Sequence, residues 1–301
     1  MKKIRLIPDF GFITPALLKD YLLYTAFLLL AALSDYITPF VNTFFVSAKL
    51  GLAFTGIYTI AVNIVALIEV PYRSLSSISA PIISRLMKEG NIPEVSSLCR
   101  NVSMHQLLVS AFIFYLIWIN IDFIYQIMPN GVEYATAKYV VLILGTSKLF
   151  YTTCSAGVSV ISYSRYYYLS LIFAFFLTFT SIFLNNKLIP LYGMNGAALA
   201  TLIAYMSYMT IMLIVIRLVI GVGTFSLGHI KIMGIFALLI VAYQAWLSLV
   251  SPVLQPWPDC LAKTFVLGTI GMVAIYFSKI SPEVSQLIEK TISLFIHRNE
   301  S

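Results

Sequence analysis

Residues 166–188 read YYYLSLIFAFFLTFTSIFLNNKL, and residues 196–219 read GAALATLIAYMSYMTIMLIVIRLV. Each stretch exceeds the roughly 20 apolar residues that a helix needs to cross the hydrocarbon core of a membrane. The dipeptide Tyr192-Gly193 lies between them and is a turn signal. This part of the sequence therefore predicts two membrane-spanning helices joined by a short connection.

Comparable apolar stretches occur along the rest of the chain and are separated by short breaks rich in Gly, Pro and Asn. The sequence predicts about eight spans in an all-α, polytopic transmembrane helical bundle. They are expected at 21–47, 53–71, 104–128, 136–161, 166–188, 196–219, 231–250 and 261–279.

The composition excludes a soluble protein, because 60% of the 301 residues are hydrophobic and only 10% are charged. A soluble domain usually carries about 25% charged residues. The three cysteines and three histidines are scattered, and the chain contains no nucleotide-binding motif. We predict no metal site, no cofactor and no catalytic constellation.

The distribution of Lys and Arg predicts the orientation. Fourteen of the 19 basic residues fall on the side that contains both termini, and the opposite side has only Lys49, Lys138, Lys187 and Lys263. Because basic residues favour the cytoplasmic side, both termini are expected in the cytoplasm. The net charge of +7 then reflects topology and not a nucleic-acid partner.

Polar residues within the predicted spans form two stripes. Asp35 and Asn42 are seven residues apart on one face of the first span, and a longer stripe on the fourth span contains Lys148, Thr152, Ser155 and Ser159. Intramembrane charges usually face a cavity or a partner, although Ser and Thr also join neighbouring helices. We predict that these six residues line a substrate-binding cavity.

Glu69 and Arg73 are four residues apart near the predicted inner interface. Two interpretations stay open, namely an ion pair within one helix and a role in a cavity. After Pro71 the chain has helical spacing of apolar residues, which predicts an amphipathic helix or a kinked extension of the second span.

Three classes of function fit these features. A transporter would use the polar stripes to line a path for its substrate. An intramembrane glycosyltransferase or polysaccharide polymerase would gather acids, His or Arg on an extended loop. An accessory subunit would need neither polar stripes nor such a loop. The predicted outer loops are short and carry few candidates. The residues themselves therefore favour an inner-membrane transporter.

Five segments of the chain form recognisable motifs. Residues 186–201 read NKLIPLYGMNGAALAT and contain the pattern IPxYGxxGAAxAT. The other segments are GIYTIA at 56–61, IEVPYRS at 68–74, SAPII at 79–83 and LGTSKLF at 144–150. Together they resemble the polysaccharide-biosynthesis or O-antigen flippase branch of a superfamily that also contains multidrug exporters.

The resemblance implies a two-lobe flippase of the bacterial inner membrane, which moves undecaprenyl-pyrophosphate-linked oligosaccharide to the outer leaflet for O-antigen, lipopolysaccharide or other surface polysaccharide biosynthesis. Lys148 matches a motif lysine expected to bind the headgroup, whereas Asp35, Glu69 and Arg73 are expected to serve ion coupling or gating. A multidrug-type exporter is the alternative within the superfamily.

The resemblance also implies a domain organisation. Residues 1–20 are similar to a cytoplasmic linker, 21–220 to the six-span second lobe, 221–279 to two additional C-terminal spans and 280–301 to a cytoplasmic tail. On this comparison a first lobe is missing. A separate N-terminal lobe or a second copy is therefore an expected partner, besides membrane lipid.

Overall fold

The computed structural model of the protein describes residues 14–250 and 255–277. This part of the chain is almost entirely helical and contains no β-strand. Its α-helices are α1 (Pro15–Leu50), α2 (Leu52–Ala66), α3 (Val70–Glu89), α4 (Ile92–Ile127), α5 (Gly131–Tyr134), α6 (Lys138–Cys154), α7 (Ala156–Ser162), α8 (Leu169–Val215), α9 (Leu227–Leu249) and α10 (Pro256–Phe277).

Helix α1 begins where the sequence supplies a capping residue and a proline. The hydroxyl of Thr14 accepts a hydrogen bond from the amide of Leu17 at 3.2 Å, and Pro15 occupies the first turn, where its missing N–H is tolerated. The helix ends at Leu50, and Gly51 caps it with a φ of 93°, which few other residues adopt. The predicted linker 1–20 therefore overlaps the start of α1, while residues 1–13 and the predicted tail 280–301 lie outside the described residues.

Helix α8 reverses direction at Gly193. The backbone there is non-helical, with φ 57° and ψ −135°. The side chain of Asn42 hydrogen-bonds Asn185 before this point and Thr201 after it. In a straight helix these 16 residues would cover about 24 Å, which one side chain cannot bridge. The two halves of α8 therefore lie side by side as a helical hairpin.

Gly196 allows the two halves of the hairpin to approach closely. A Cβ at this position would overlap the carbonyl group of Leu188, which belongs to the first half. Buried alanines continue the small-residue face beyond it, at Ala197, Ala198, Ala200 and Ala204. Small residues allow helices in membranes to pack backbone against backbone.

Two other spans are interrupted, and at both interruptions a serine of α4 hydrogen-bonds a backbone carbonyl of the interrupted span. A 3₁₀ turn at Leu67–Glu69 separates α2 from α3, and a bend of 48° separates α6 from α7. The hydroxyl of Ser110 donates to the carbonyl of Ile68 at 3.2 Å, and Ser103 donates to the carbonyl of Thr153 at 2.6 Å. Backbone carbonyls released at a helix break need such partners, because no water is present in the hydrocarbon core.

Six helices in the described residues are long and apolar enough to cross a membrane, or seven when the bent pair of α6 and α7 counts as one span. The sequence predicts eight separate spans. The number differs because the predicted spans 166–188 and 196–219 fall in the single hairpin helix α8, and because 136–161 is broken after Cys154. The span predicted at 53–71 continues through α3 to Glu89, as a kinked extension.

The buried apolar residues form two main clusters, and α6 contributes to both. One cluster contains Leu144 with residues of α1, α2 and α4, and the other contains Cys154 with residues of α3, α4 and α8. Lys148 lies between Leu144 and Cys154 along the helix, so the packing places a charged side chain at the junction of the two clusters.

Helices α9 and α10 pack on each other and on α4. Polar contacts join them near one end: the amide of Asn120 donates to Thr264 at 2.8 Å, and the indole of Trp246 donates to Asp259 at 2.9 Å. Lys263 pairs with the same carboxylate at 3.1 Å. This pair of helices is attached beside the group formed by α1, α2, α6 and α8.

Candidate functional site

The interruption between α2 and α3 brings Glu69 to Lys148 of α6. The lysine Nζ lies 2.5 Å from the carboxylate Oε1 of Glu69. Both side chains are largely buried, with 19% of Lys148 and 14% of Glu69 exposed. Opposite charges removed from water in this way compensate each other's lost hydration. Because the two residues are 79 positions apart, the pair exists only through tertiary packing.

Arg73 is the second cation at this carboxylate. Its Nη2 lies 3.8 Å from Oε2 of Glu69, and 77% of its side chain is exposed. Of the two interpretations left open for Glu69 and Arg73, the ion pair is present as the outer half of a three-charge cluster, and both side chains also line a cavity. Two cations and one anion leave the cluster with a net positive charge, which favours an anionic ligand over a cationic one.

Two tyrosines contact the ammonium group of Lys148, and a third packs against one of them. The rings of Tyr151 and Tyr205 each have their centroid 5.8 Å from Nζ, within the range of a cation–π contact. The ring of Tyr72 packs edge-on against Tyr151 at 5.6 Å, and Tyr151 packs against Tyr205 at 5.4 Å. The lysine is thus fixed between a carboxylate and two aromatic faces.

This charge cluster lines a cavity of about 540 Å³. The three tyrosines form one part of its wall, and Ala32, Pro39 and Phe40 of α1 form another part. The volume falls within the range of about 300–1,000 Å³ that is usual for sites of small organic ligands. Apolar walls with a few charged groups are also usual for such sites.

Asn42 lies deeper, in a buried network that joins α1 to both halves of α8. Its side chain donates to Thr201 at 2.8 Å and accepts from Ser181 at 2.9 Å and from Asn185 at 2.6 Å. Asn42 also lines a small space of about 50 Å³, which Lys148 and Tyr205 line as well. The network is therefore adjacent to the charge cluster without lining the larger cavity.

The other predicted stripe residues of α6 and α7 are used in packing. Thr152 donates to the carbonyl of Leu149 at 3.1 Å, and Ser155 donates to Gln106 at 3.0 Å. Both are buried, and Ser159 is half-buried. None of the three lines the 540 Å³ cavity. Thr152 is buried within α6, whereas Ser155 and Ser159 follow Cys154, after which the chain bends. Asp35 belongs to α1, but its side chain lies outside what the structure describes.

The tyrosines are the site residues that the sequence interpretation missed. Tyr72 is three residues after Glu69, and Tyr151 is three residues after Lys148, so each shares a helix face with a charge that was singled out. That spacing was an available signal. For Tyr205 no such signal exists, because α8 brings it to the site through tertiary packing.

Within the described ranges, no three His, Cys, Asp or Glu side chains are grouped as a metal site. Cys99, Cys154 and Cys260 are free thiols. Comparisons with protein-family models, with curated proteins and with solved structures gave no match to this chain.

Proposed function

We propose that this chain is a flippase, or part of one, which moves undecaprenyl-pyrophosphate-linked oligosaccharide from the inner to the outer leaflet for surface polysaccharide biosynthesis. The observation that carries the proposal is the cluster of Lys148, Glu69 and Arg73 at the wall of a 540 Å³ cavity inside a bundle of apolar helices. A cavity with a net positive charge is suited to the diphosphate of such a lipid.

The ion pair supports a binding step that involves exchange of partners. Without a ligand, Glu69 neutralises the ammonium group of Lys148, which would otherwise be a costly uncompensated charge. A diphosphate that enters the cavity carries more negative charge than a carboxylate and replaces Glu69 at the lysine. Glu69 then remains bonded to Arg73 or takes up a cation, which makes these two residues the candidates for gating and ion coupling.

The tyrosine rings support recognition of the sugar portion. Tyr72, Tyr151 and Tyr205 combine a flat apolar face with a hydroxyl group, a combination suited to ligands that have both apolar and polar surfaces. On this proposal the diphosphate binds Lys148, and the first sugars lie against the aromatic wall.

We further propose eight membrane crossings in the bacterial inner membrane, with both termini in the cytoplasm. The hairpin at Gly193 supports this number, because α8 then contributes two crossings instead of one. The bias of Lys and Arg supports the orientation.

Alternating access requires two bodies that move about the site. Phe40 and Arg73, which both line the cavity, are highly exposed, at 76% and 77%. This supports a second body at the open side of the cavity, either a separate N-terminal lobe or a second copy of this chain.

The proposal is tested by binding of a fluorescent undecaprenyl-pyrophosphate glycolipid to the purified chain in phosphatidylcholine nanodiscs. We expect Lys148→Gln to weaken binding about tenfold or more, because a charge-assisted bond to phosphate is lost. Lys148→Arg keeps the charge and should retain most of the affinity. The matched control is Lys138→Gln, which also removes a lysine paired with a carboxylate, that of Asp122 at 2.7 Å.

Thermal unfolding of each variant separates loss of binding from loss of folding. Unchanged affinity in a folded Lys148→Gln protein would contradict the proposal, as would an equal loss in Lys138→Gln. Proteoliposomes that contain the chain, alone and with a coexpressed N-terminal lobe, then report translocation of the same lipid.

One observation favours a multidrug-type exporter as the second candidate. Glu69 and the three tyrosine rings would also suit an organic cation, since aromatic faces and a carboxylate attract positive charge. Binding of tetraphenylphosphonium distinguishes the two functions. The multidrug-type exporter is favoured if the chain binds tetraphenylphosphonium tightly, if Glu69→Gln abolishes this binding and if Lys148→Gln improves it.

A further inference from the structure

A second, larger cavity of about 720 Å³ lies on a different side of α6. Phe150 lines this cavity, whereas its neighbour Tyr151 lines the cavity of the charge cluster. Arg100 of α4 and Arg217, which follows the end of α8, both line the second cavity. We call this space the two-arginine cavity.

Neither arginine of this cavity has an acidic partner in the part of the chain that the structure describes. The ion pairs there involve Arg73, Arg85, Lys138, Lys148 and Lys263. Two guanidinium groups beside one cavity, without a carboxylate, form an uncompensated positive site. Such a site attracts an anion, and guanidinium groups bind phosphate through two parallel hydrogen bonds.

The connection between α8 and α9 holds the two arginines at the same cavity. The amide of Gly223 donates to the hydroxyl of Ser96 at 3.2 Å, and Ser96 is one helical turn before Arg100 on α4. A Cβ at Gly223 would lie 2.9 Å from Nη1 of Arg217, so the guanidinium group of Arg217 packs against this glycine. The segment between α8 and α9 therefore contacts both the side chain of Arg217 and the turn of α4 that carries Arg100.

The remaining walls of the cavity are mainly apolar, with Phe150, Leu213, Ile214, Leu218, Val222 and Phe225. A soluble phosphate compound would gain nothing from these side chains. A lipid would bury acyl chains against them while its phosphate stays at the arginines. The arginines of the cavity thus correspond to the charged headgroup of a phospholipid, and the apolar walls correspond to its acyl chains.

We propose that the two-arginine cavity is a binding site for an anionic phospholipid, with the phosphate at Arg100 and Arg217 and the acyl chains against the apolar wall. The site is separate from the one assigned to the transported lipid, and the inference does not depend on the transport proposal. It agrees with the proposed orientation, in which the connection between α8 and α9 faces the cytoplasmic leaflet.

Native mass spectrometry of the purified chain with added phosphatidylglycerol tests the site. We expect Arg100→Gln and Arg217→Gln each to weaken binding about tenfold, and the double variant to reduce it to the level of phosphatidylcholine. Gly223→Ala should also weaken binding, since it displaces the guanidinium group of Arg217 without removing its charge. The matched control is Arg85→Gln, an equal change of charge at an arginine of α3 that is 69% exposed.

Competition with glycerol 3-phosphate distinguishes a lipid from a free phosphate compound. Failure of millimolar glycerol 3-phosphate to displace phosphatidylglycerol supports the lipid site, whereas complete displacement would overturn it in favour of a soluble ligand. Equal phosphatidylglycerol binding by the wild-type chain and the folded double variant would also overturn it. An equal loss of phosphatidylglycerol binding in Arg85→Gln would also overturn it, because the effect would then be nonspecific attraction by surface charge. Glycolipid binding by the same double variant should be unchanged, so failure here and failure of the flippase proposal are distinguishable.

Discussion

Asn42 illustrates how one polar side chain can hold several helices together inside a membrane. Its amide group makes hydrogen bonds to Thr201, Ser181 and Asn185, and it is 97% removed from solvent, with 3% exposed. Lys148 is different, because its partners are a carboxylate and two aromatic faces at a cavity wall. Both residues were predicted to line one cavity. They share the small space of about 50 Å³, but only Lys148 also lines the cavity of about 540 Å³, whereas Asn42 connects helices.

Replacing Asn42 by Ala should lower the free energy of unfolding by about 2 kcal/mol, since it removes three buried hydrogen bonds between α1 and α8. The measurement is thermal unfolding in detergent micelles. Thr43→Ala is the control, because the hydroxyl of Thr43 bonds only back to Pro39 of the same helix at 3.0 Å among the hydrogen bonds described. Equal stability of the two variants would show that the network does not hold α1 against α8.

Among the helices, α8 determines the arrangement of the site. Its reversal at Gly193 places Asn185 and Thr201 beside the same residue of α1, and its second half delivers Tyr205 to Lys148. The breaks in the other spans have a similar effect. The 3₁₀ turn at Leu67–Glu69 presents Glu69 to α6, and Ser110 of α4 satisfies the carbonyl freed there.

Gly193→Ala should destabilise the hairpin, because φ 57° with ψ −135° is strained for any residue with a Cβ, at a cost of about 1–3 kcal/mol. The melting temperature in micelles should fall accordingly. The control is Gly234→Ala in α9, where a Cβ would meet nothing within 4 Å and the backbone is helical. That variant should match or slightly exceed the wild-type stability. A melting temperature of Gly193→Ala equal to that of the control would contradict the strained turn.

In the molecule as a whole, the helices form two attached groups. The first consists of α1, α2, α3, α6 and α8 and contains the charge cluster, and the second consists of α9 and α10, which pack on α4. The two-arginine cavity is lined by residues of α4, α6, α8 and the connection that leads from α8 to α9. A lipid bound there would contact the segment of chain that joins the two groups.

The crossing number is tested with single cysteines and a membrane-impermeant maleimide applied to intact spheroplasts. Val132 and Leu191 are exposed by 89% and 72%. We expect Val132→Cys and Leu191→Cys to be labelled from outside, and Glu89→Cys to be labelled only after permeabilisation. The unsubstituted chain, with Cys99 and Cys154 buried and Cys260 half-buried, gives the background. Labelling of Leu191→Cys only from inside would mean that α8 does not cross twice.

The class of fold and the approximate position of the helices were predictable from the sequence, because apolar composition and length are properties of each segment alone. The ion pair of Glu69 and Arg73 was one of two interpretations that the sequence left open, and it rests on local spacing, since residues four apart along a helix are neighbours. The bend after Cys154 was not predicted, and Ser155 and Ser159, which follow it, do not line the cavity. No strong breaking residue marks that position.

Helical periodicity therefore determined which residues share a face of one helix, and it placed Lys148 and Glu69 among the candidates. Only the tertiary structure decided that these two residues meet, because they belong to different helices, and periodicity contains no information about which helices become neighbours. The same holds for Tyr205 at the site and for Asn42 between the two halves of α8. Those contacts depend on where the spans are interrupted and on close packing at Gly196, which bring separate helices together.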